Sequence, residues 1–214
     1  MRTIAILLVL LLAGVSQAQT NVGSITISGT VRWTKAMSPI SFGSVRIGGG
    51  TLIIDAGVEL IGSSTSSGIQ TISGSYSKLQ IQGTEAEPVT MRPAIGVPYI
   101  FGVGGSITSS RSIVEISNFM LTNGTIHLEA HDCVLTNCNV VGQKTLGTST
   151  TYNGGIKVRR ASTGIISNCF VRGQQVGFDL TGASVVATDC RAELNDTAIV
   201  LRVGSSASFD LLNQ

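Results

Sequence analysis

Charged side chains are scarce in this sequence: they make up 12% of the 214 residues, and 14 Lys and Arg nearly balance 12 Asp and Glu. A formal net charge of +2 gives no reason to expect nucleic acid or an anionic membrane as a partner. Aromatic residues are only 5% of the chain, and segments rich in Ala, Leu, Glu and Lys are missing. With 26 glycines present, the composition disfavours helices and favours short strands joined by tight turns.

Long hydrophobic runs are confined to the N-terminus. A single charge at Arg2, an apolar run from Ile4 to Leu12 and small residues at Ser16 and Ala18 are typical of a secretory signal peptide. We therefore predict a signal peptide at 1–18 and a secreted or cell-surface protein, with the periplasm as an alternative location. The apolar run is shorter than the roughly 20 residues of a spanning helix, so no membrane span is expected.

A repeated pair of residues, Asn or Asp followed by Cys, organises the second half of the chain. It occurs in "LTNCNV", "ISNCFV" and "ATDCRA", and "EISNFML" and "DLLNQ" extend the alignment. The aligned residues are Asn118, Asn137, Asn168, Asp189 and Asn213. We predict that they stack as a ladder, because an amide can both donate to one neighbour and accept from the other. An ionised Asp189 can only accept, so it should be the weakest rung.

Apolar residues alternate with polar ones on both sides of each aligned Asn, and the alternation changes phase there. Period-two alternation indicates a strand with one buried face, and the phase change indicates a bend between two strands. A second alternating series, with inward residues such as Ile156 and Val158, repeats in step with the first. Three short strands per coil predict an all-β fold: a single parallel β-helix whose coils stack at about 4.8 Å. We expect it to be right-handed, because crossovers between parallel strands have this general preference.

Cys138, Cys169 and Cys190 should stack just past the bend and point inward. Disulfides are compatible with an exported protein, but residues stacked at the coil spacing are farther apart than the roughly 3.8 Å between the Cβ atoms of a disulfide. The cysteine columns contain no histidine, so a metal site is less favoured still. We therefore predict that the cysteines serve as small apolar core residues.

Looser versions of the same coil occur in the first half of the chain. We predict a capping segment at 19–44 and the β-helix at 45–214, with Trp33 covering the apolar end of the solenoid. The sequence stops immediately after the bend at Asn213, so we also expect the helix to lack a C-terminal cap. An uncovered terminal coil favours end-to-end association with another chain.

Two runs carry a resemblance to a known group of proteins. "GTVRWTKAMSPISFGSVRIGGGTLIIDAGVELIG" and "LQIQGTEAEPVTMRP" resemble the opening of bacterial secreted right-handed β-helix repeat proteins of the pectate-lyase-like superfamily, and the later "SNC" coils resemble its repeat. The superfamily includes polysaccharide lyases, hydrolases and adhesins, so the resemblance implies an architecture more than an activity. In its enzymes the substrate lies along the outer face of one parallel sheet.

By that resemblance, the outward residues of the second series are the candidate ligand-binding residues. An insertion at 142–155 contributes the one aromatic residue expected beside them. The candidates are His127, Glu129, Tyr152, Lys157, Arg159, Asp179 and Arg202. Such a surface suits an acidic polysaccharide, since Lys and Arg pair with carboxylates. An alternative interpretation is that the same residues form solvent-exposed cross-strand ion pairs that stabilise the sheet weakly.

The catalytic motifs of the superfamily's enzymes do not occur here, and Asp179 stands nearly alone on its face. The sequence therefore assigns no catalytic residue, metal site or cofactor. We predict an exported or surface-associated, non-catalytic protein that binds a polysaccharide or a surface glycan. The alternative is a polysaccharide lyase or glycoside hydrolase acting on an acidic polysaccharide, and calcium would matter only for a lyase.

Overall fold

The computed structural model describes residues 19–72, 76–105, 112–129, 131–142, 154–159 and 163–202, and these contain nineteen strands and one 3₁₀ turn. The strands are β1 (Thr20–Ile27), β2 (Thr30–Trp33), β3 (Ile40–Ile47), β4 (Thr51–Asp55), β5 (Glu59–Gly62), β6 (Gly68–Thr71), β7 (Lys78–Gln82), β8 (Val89–Pro93), β9 (Gly102–Gly105), β10 (Ser112–Thr122), β11 (Thr125–Glu129), β12 (His131–Val141), β13 (Gly154–Arg159), β14 (Thr163–Ser167), β15 (Phe170–Arg172), β16 (Val176–Thr181), β17 (Ser184–Thr188), β18 (Arg191–Glu193) and β19 (Thr197–Arg202). The 3₁₀ turn is Lys35–Met37. The predicted signal peptide, Tyr152 and the C-terminal residues with Asn213 lie outside the described residues.

The strands form three parallel sheets, and each strand pairs with its equivalents in the coils before and after it. Sheet A contains β2, β4, β7, the first half of β10, the first half of β12, β14 and β17. Sheet B contains the first halves of β1 and β3, then β5, β8, the second halves of β10 and β12, β15 and β18. Sheet C contains the second halves of β1 and β3, then β6, β9, β11, β13, β16 and β19. The predicted parallel β-helix with three strands per coil is confirmed, while its right-handed sense stays a prediction.

The aligned Asn and Asp residues lie at the corner between sheets A and B. Asn118, Asn137, Asn168 and Asp189 have φ between 47° and 53°, a left-handed conformation that Asn and Asp adopt more readily than most residues. Nδ2 of Asn137 donates to Oδ1 of Asn118 at 3.0 Å, and Nδ2 of Asn168 donates to Oδ1 of Asn137 at 2.7 Å. Within the described residues this series of bonds stops at Asn168, because Asp189 lacks the amide N–H group that would donate back to Oδ1 of Asn168.

The core is a continuous column of inward side chains from all three sheets, and the four cysteines belong to it. All four are free and buried. Burial raises the pKa of Cys133 to about 12, and a hydrogen bond that the Cys169 thiol donates to Cys138, together with burial, raises the pKa of Cys169 well above its ordinary value. The four thiols therefore pack as small apolar groups in the core, as predicted.

The β-helix begins earlier than the predicted boundary at residue 45. Strands β1 and β2 already pair in parallel with β3 and β4, so residues 19–44 contribute strands of the helix itself. Apolar and polar residues alternate in "SITI" and "TVRW" as regularly as in later coils, but polar residues flank both segments and obscure the pattern. Trp33 points inward from β2 and is buried, with its ring centroid 6.4 Å from that of Phe42. In the described part of the chain, no helix is long and apolar enough to cross a membrane.

Candidate functional site

Most of the residues predicted to bind a ligand come together on the outer face of sheet C. We call the following set the charged row: His127 and Glu129 of β11, Lys157 and Arg159 of β13, and Asp179 and Thr181 of β16. The strand register forms two columns from them, with His127, Lys157 and Asp179 in one and Glu129, Arg159 and Thr181 in the other. Arg202 is the backbone partner of Thr181 in the next coil.

The expectation that the charged row points freely into solvent is wrong for its central residues. Lys157 is only 3% exposed and Asp179 only 4%. The stem of Lys157 folds back along its own strand, since a Cβ atom on Gly154 would lie 2.1 Å from its Cε. Asp179 is held by a hydrogen bond from Nη2 of Arg159 and by one from Oγ1 of Thr181 at 2.7 Å. The sequence pattern gives the direction of these side chains but not how they fold over their neighbours.

Burial and neighbouring charges shift three pKa values in the charged row. Burial lowers the pKa of Lys157, and the nearby Arg159 lowers it further against the attraction of Asp179. Burial also lowers the pKa of His127, which Lys157 and Arg159 reinforce and Glu129 opposes. For Asp179 burial acts upward, but the hydrogen bonds from Arg159 and Thr181 outweigh it, and the net pKa is lowered. His127 is therefore neutral and Asp179 ionised near neutral pH.

His127 lies beside Glu129 without a well-formed hydrogen bond between them. Its Nε2 is 3.2 Å from Oε1 of Glu129, but this buried nitrogen has no correctly aligned partner in the described part of the chain. A neutral imidazole carries a proton on only one nitrogen, so Nε2 can present either a donor or a lone pair to a third group.

An aromatic ring that was not predicted from the sequence borders the charged row. Gly104 of β9 is the register partner of His127 in the preceding coil. A Cβ atom at Gly104 would lie 2.4 Å from Cζ of Phe101, so the Phe101 ring lies directly over this glycine on the outer face of sheet C. The signal in the sequence is the alternation of Gly102 and Gly104 just after Phe101, which leaves room for a ring on the sheet.

The other candidates add little to this geometry. Tyr152, predicted to stack on a sugar, lies outside the described residues, as does most of the 142–155 insertion. In the described ranges no three His, Cys, Asp or Glu side chains form a group that could hold a metal ion. The described surface thus consists of polar and charged side chains with one aromatic ring at its edge.

Comparison with protein-family models, with curated proteins and with solved structures finds no match for this chain. The resemblance to the pectate-lyase-like superfamily therefore stays an expectation from the sequence.

Proposed function

We propose that this protein is an exported or surface-associated β-helix that binds an acidic glycan along the charged row and leaves it chemically unchanged. The observation that carries the proposal is the Phe101 ring, which lies over Gly104 and so continues the column of His127 on the outer face of sheet C. An aromatic ring beside a line of polar side chains combines the apolar and the polar contacts that a sugar offers.

Arg159 supplies the complementary charge. Its side chain is 33% exposed although Nη2 is bound to Asp179, so part of the side chain faces solvent. A guanidinium carries five N–H donors in a plane that matches a carboxylate. Gly104 and Arg159 belong to coils that are two steps apart, a separation of about 10 Å along the helix axis at 4.8 Å per coil. A short acidic oligosaccharide can contact Phe101 and Arg159 at once.

The burial of the charged row favours binding over catalysis. A general acid or base must come within hydrogen-bonding reach of the substrate. Lys157, whose pKa is lowered in the direction that suits a base for a lyase, is almost fully covered. Asp179 is covered as well, and its lowered pKa makes it a poor general acid. A polysaccharide lyase or hydrolase is the alternative function, which these two observations disfavour.

The test is binding of polygalacturonate, an acidic glycan, at low ionic strength, measured by calorimetry on the parent protein and on two variants. We expect Phe101→Ala and Arg159→Gln each to weaken binding by about tenfold, which corresponds to roughly 1.4 kcal/mol. Arg32→Gln is the matched control, because Arg32 is an exposed arginine paired with Asp55 on sheet A. Thermal unfolding of every variant verifies that the fold is retained.

Two results would contradict the proposal. If the two variants bind as the parent does, the charged row is not the binding surface. If the parent releases unsaturated products or new reducing ends from the polymer, with or without calcium, the protein is an enzyme and the alternative is correct.

A further inference from the structure

A second set of outward side chains lies on sheet B, around a phenylalanine two positions after the aligned Asn. The column contains Met120 of β10, Asn139 of β12, Phe170 of β15 and Arg191 of β18, one residue per coil. Phe170 is the direct register partner of Asn139 on one side and of Arg191 on the other. Its neighbours along the strand, Cys169 and Val171, are buried, so the Phe170 ring projects from the outer face at a position where a strand usually carries a polar residue.

The residues flanking Phe170 carry polar atoms whose bonding capacity is not met. Oδ1 of Asn139 and Nε of Arg191 are both buried and have no hydrogen-bond partner among the described residues. Leaving a buried donor or acceptor unpaired costs about 1–3 kcal/mol. One acceptor and one donor therefore lie on opposite sides of the same ring, separated from it by one coil spacing each.

Positive charge adjoins this ring. Arg172 is the residue two positions after Phe170 on the same outer face, and it is exposed. Arg191 is 42% exposed along its side chain and is paired with Glu193 through Nη2. Two guanidinium groups and one carboxylate leave a net positive charge around Phe170, which suits an anionic ligand.

We propose that sheet B carries a second sugar-binding subsite, in which an anionic pyranose stacks on Phe170. Arg172 pairs with the anionic group of the sugar, and Arg191, whose side chain is 42% exposed, adds positive charge beside the ring. The subsite lies on a different face from the charged row and uses none of its residues, so it does not depend on the function proposed for that row.

The experiment compares binding of polygalacturonate and of uncharged dextran by the parent protein, Phe170→Ala, Phe170→Tyr and Arg172→Gln. We expect Phe170→Ala to weaken polygalacturonate binding by about tenfold, whereas Phe170→Tyr keeps the ring and stays close to the parent. Arg172→Gln should weaken binding of polygalacturonate but not of dextran. Ile165→Ala on sheet A removes an outward apolar side chain, which is 49% exposed, and should change nothing.

Several outcomes separate this subsite from the charged row. If Phe170→Ala binds as tightly as the parent while Arg159→Gln does not, the subsite is absent and only the charged row binds glycan. If Phe170→Ala loses binding and Arg159→Gln keeps it, the subsite is the binding surface and the function proposed for the charged row is wrong. A parent protein that binds no anionic glycan overturns the subsite outright. Equal loss with Phe170→Tyr and Phe170→Ala overturns stacking as its basis.

Discussion

At the scale of single residues, the corner between sheets B and C contains a strained leucine. Leu194 has φ of 51° and is 65% exposed, whereas the equivalent corners are occupied by Asn123 and Gly173. The left-handed conformation costs an ordinary side chain about 1–2 kcal/mol, and glycine adopts it without this cost. We therefore predict that Leu194→Gly raises the free energy of unfolding by about 0.5–1 kcal/mol, after the greater flexibility of unfolded glycine is subtracted. Urea denaturation of the purified protein measures the change.

Leu194→Ala separates backbone strain from the loss of the exposed side chain. Alanine keeps the Cβ atom that causes the strain, so this variant should be no more stable than the parent. Equal stabilisation by glycine and alanine would show that removal of an exposed apolar side chain, rather than relief of strain, is responsible.

At the scale of strands, the sequence predicted well which side chains point into the core, but it predicted poorly how buried the outward side chains are. The period-two alternation in β11, β13 and β16 identified the inward residues correctly, because an apolar side chain on the wrong face would be exposed along the whole strand. It could not predict the burial of Lys157, which depends on the absence of a side chain at Gly154, nor the bond between Arg159 and Asp179. Phe101 was missed because it precedes β9, where alternation gives no information.

Because the pKa of His127 in β11 is lowered by folding, the free energy of unfolding depends on pH in the acidic range. The folded protein holds this pKa below 6.5, so between that value and the folded pKa the unfolded chain binds more protons than the folded one. Stability should therefore fall as the pH decreases through about 6.5. We predict that the urea midpoint drops between about pH 7.5 and pH 5.5 in the parent and drops less in His127→Gln, which has no proton to gain.

The charged groups around His127 do not produce the same effect. Glu129, Lys157 and Arg159 face the imidazole and are the same in the parent and in His127→Gln, and the lowered pKa of Asp179 places its effect below its ordinary value of 3.8. His131→Gln is the matched control, since it removes the other histidine of the chain. The same slope in the parent and in His127→Gln would contradict the assignment to His127.

At the scale of the whole molecule, stability is distributed along one axis. Every described strand pairs only with the equivalent strands of the adjacent coils, so the first and last of these coils are connected only through the coils between them. For such solenoids, stability is approximately the sum of the coils and of their nearest-neighbour interfaces. Trp33, in β2, is the only tryptophan and reports on the N-terminal coils, whereas circular dichroism reports on all of them.

We predict that Phe178→Ala separates these two signals. Phe178 of β16 is fully buried, and its truncation costs about 3–5 kcal/mol in the C-terminal coils. The denaturation midpoint by circular dichroism should fall well below the midpoint by Trp33 fluorescence, because the coils around Trp33 keep their own neighbours. Phe42→Ala is the control: it removes a ring whose centroid is 6.4 Å from that of Trp33, so the fluorescence midpoint should fall directly. If Phe178→Ala lowers both midpoints equally, the nineteen described strands unfold as one cooperative unit and the nearest-neighbour description does not hold.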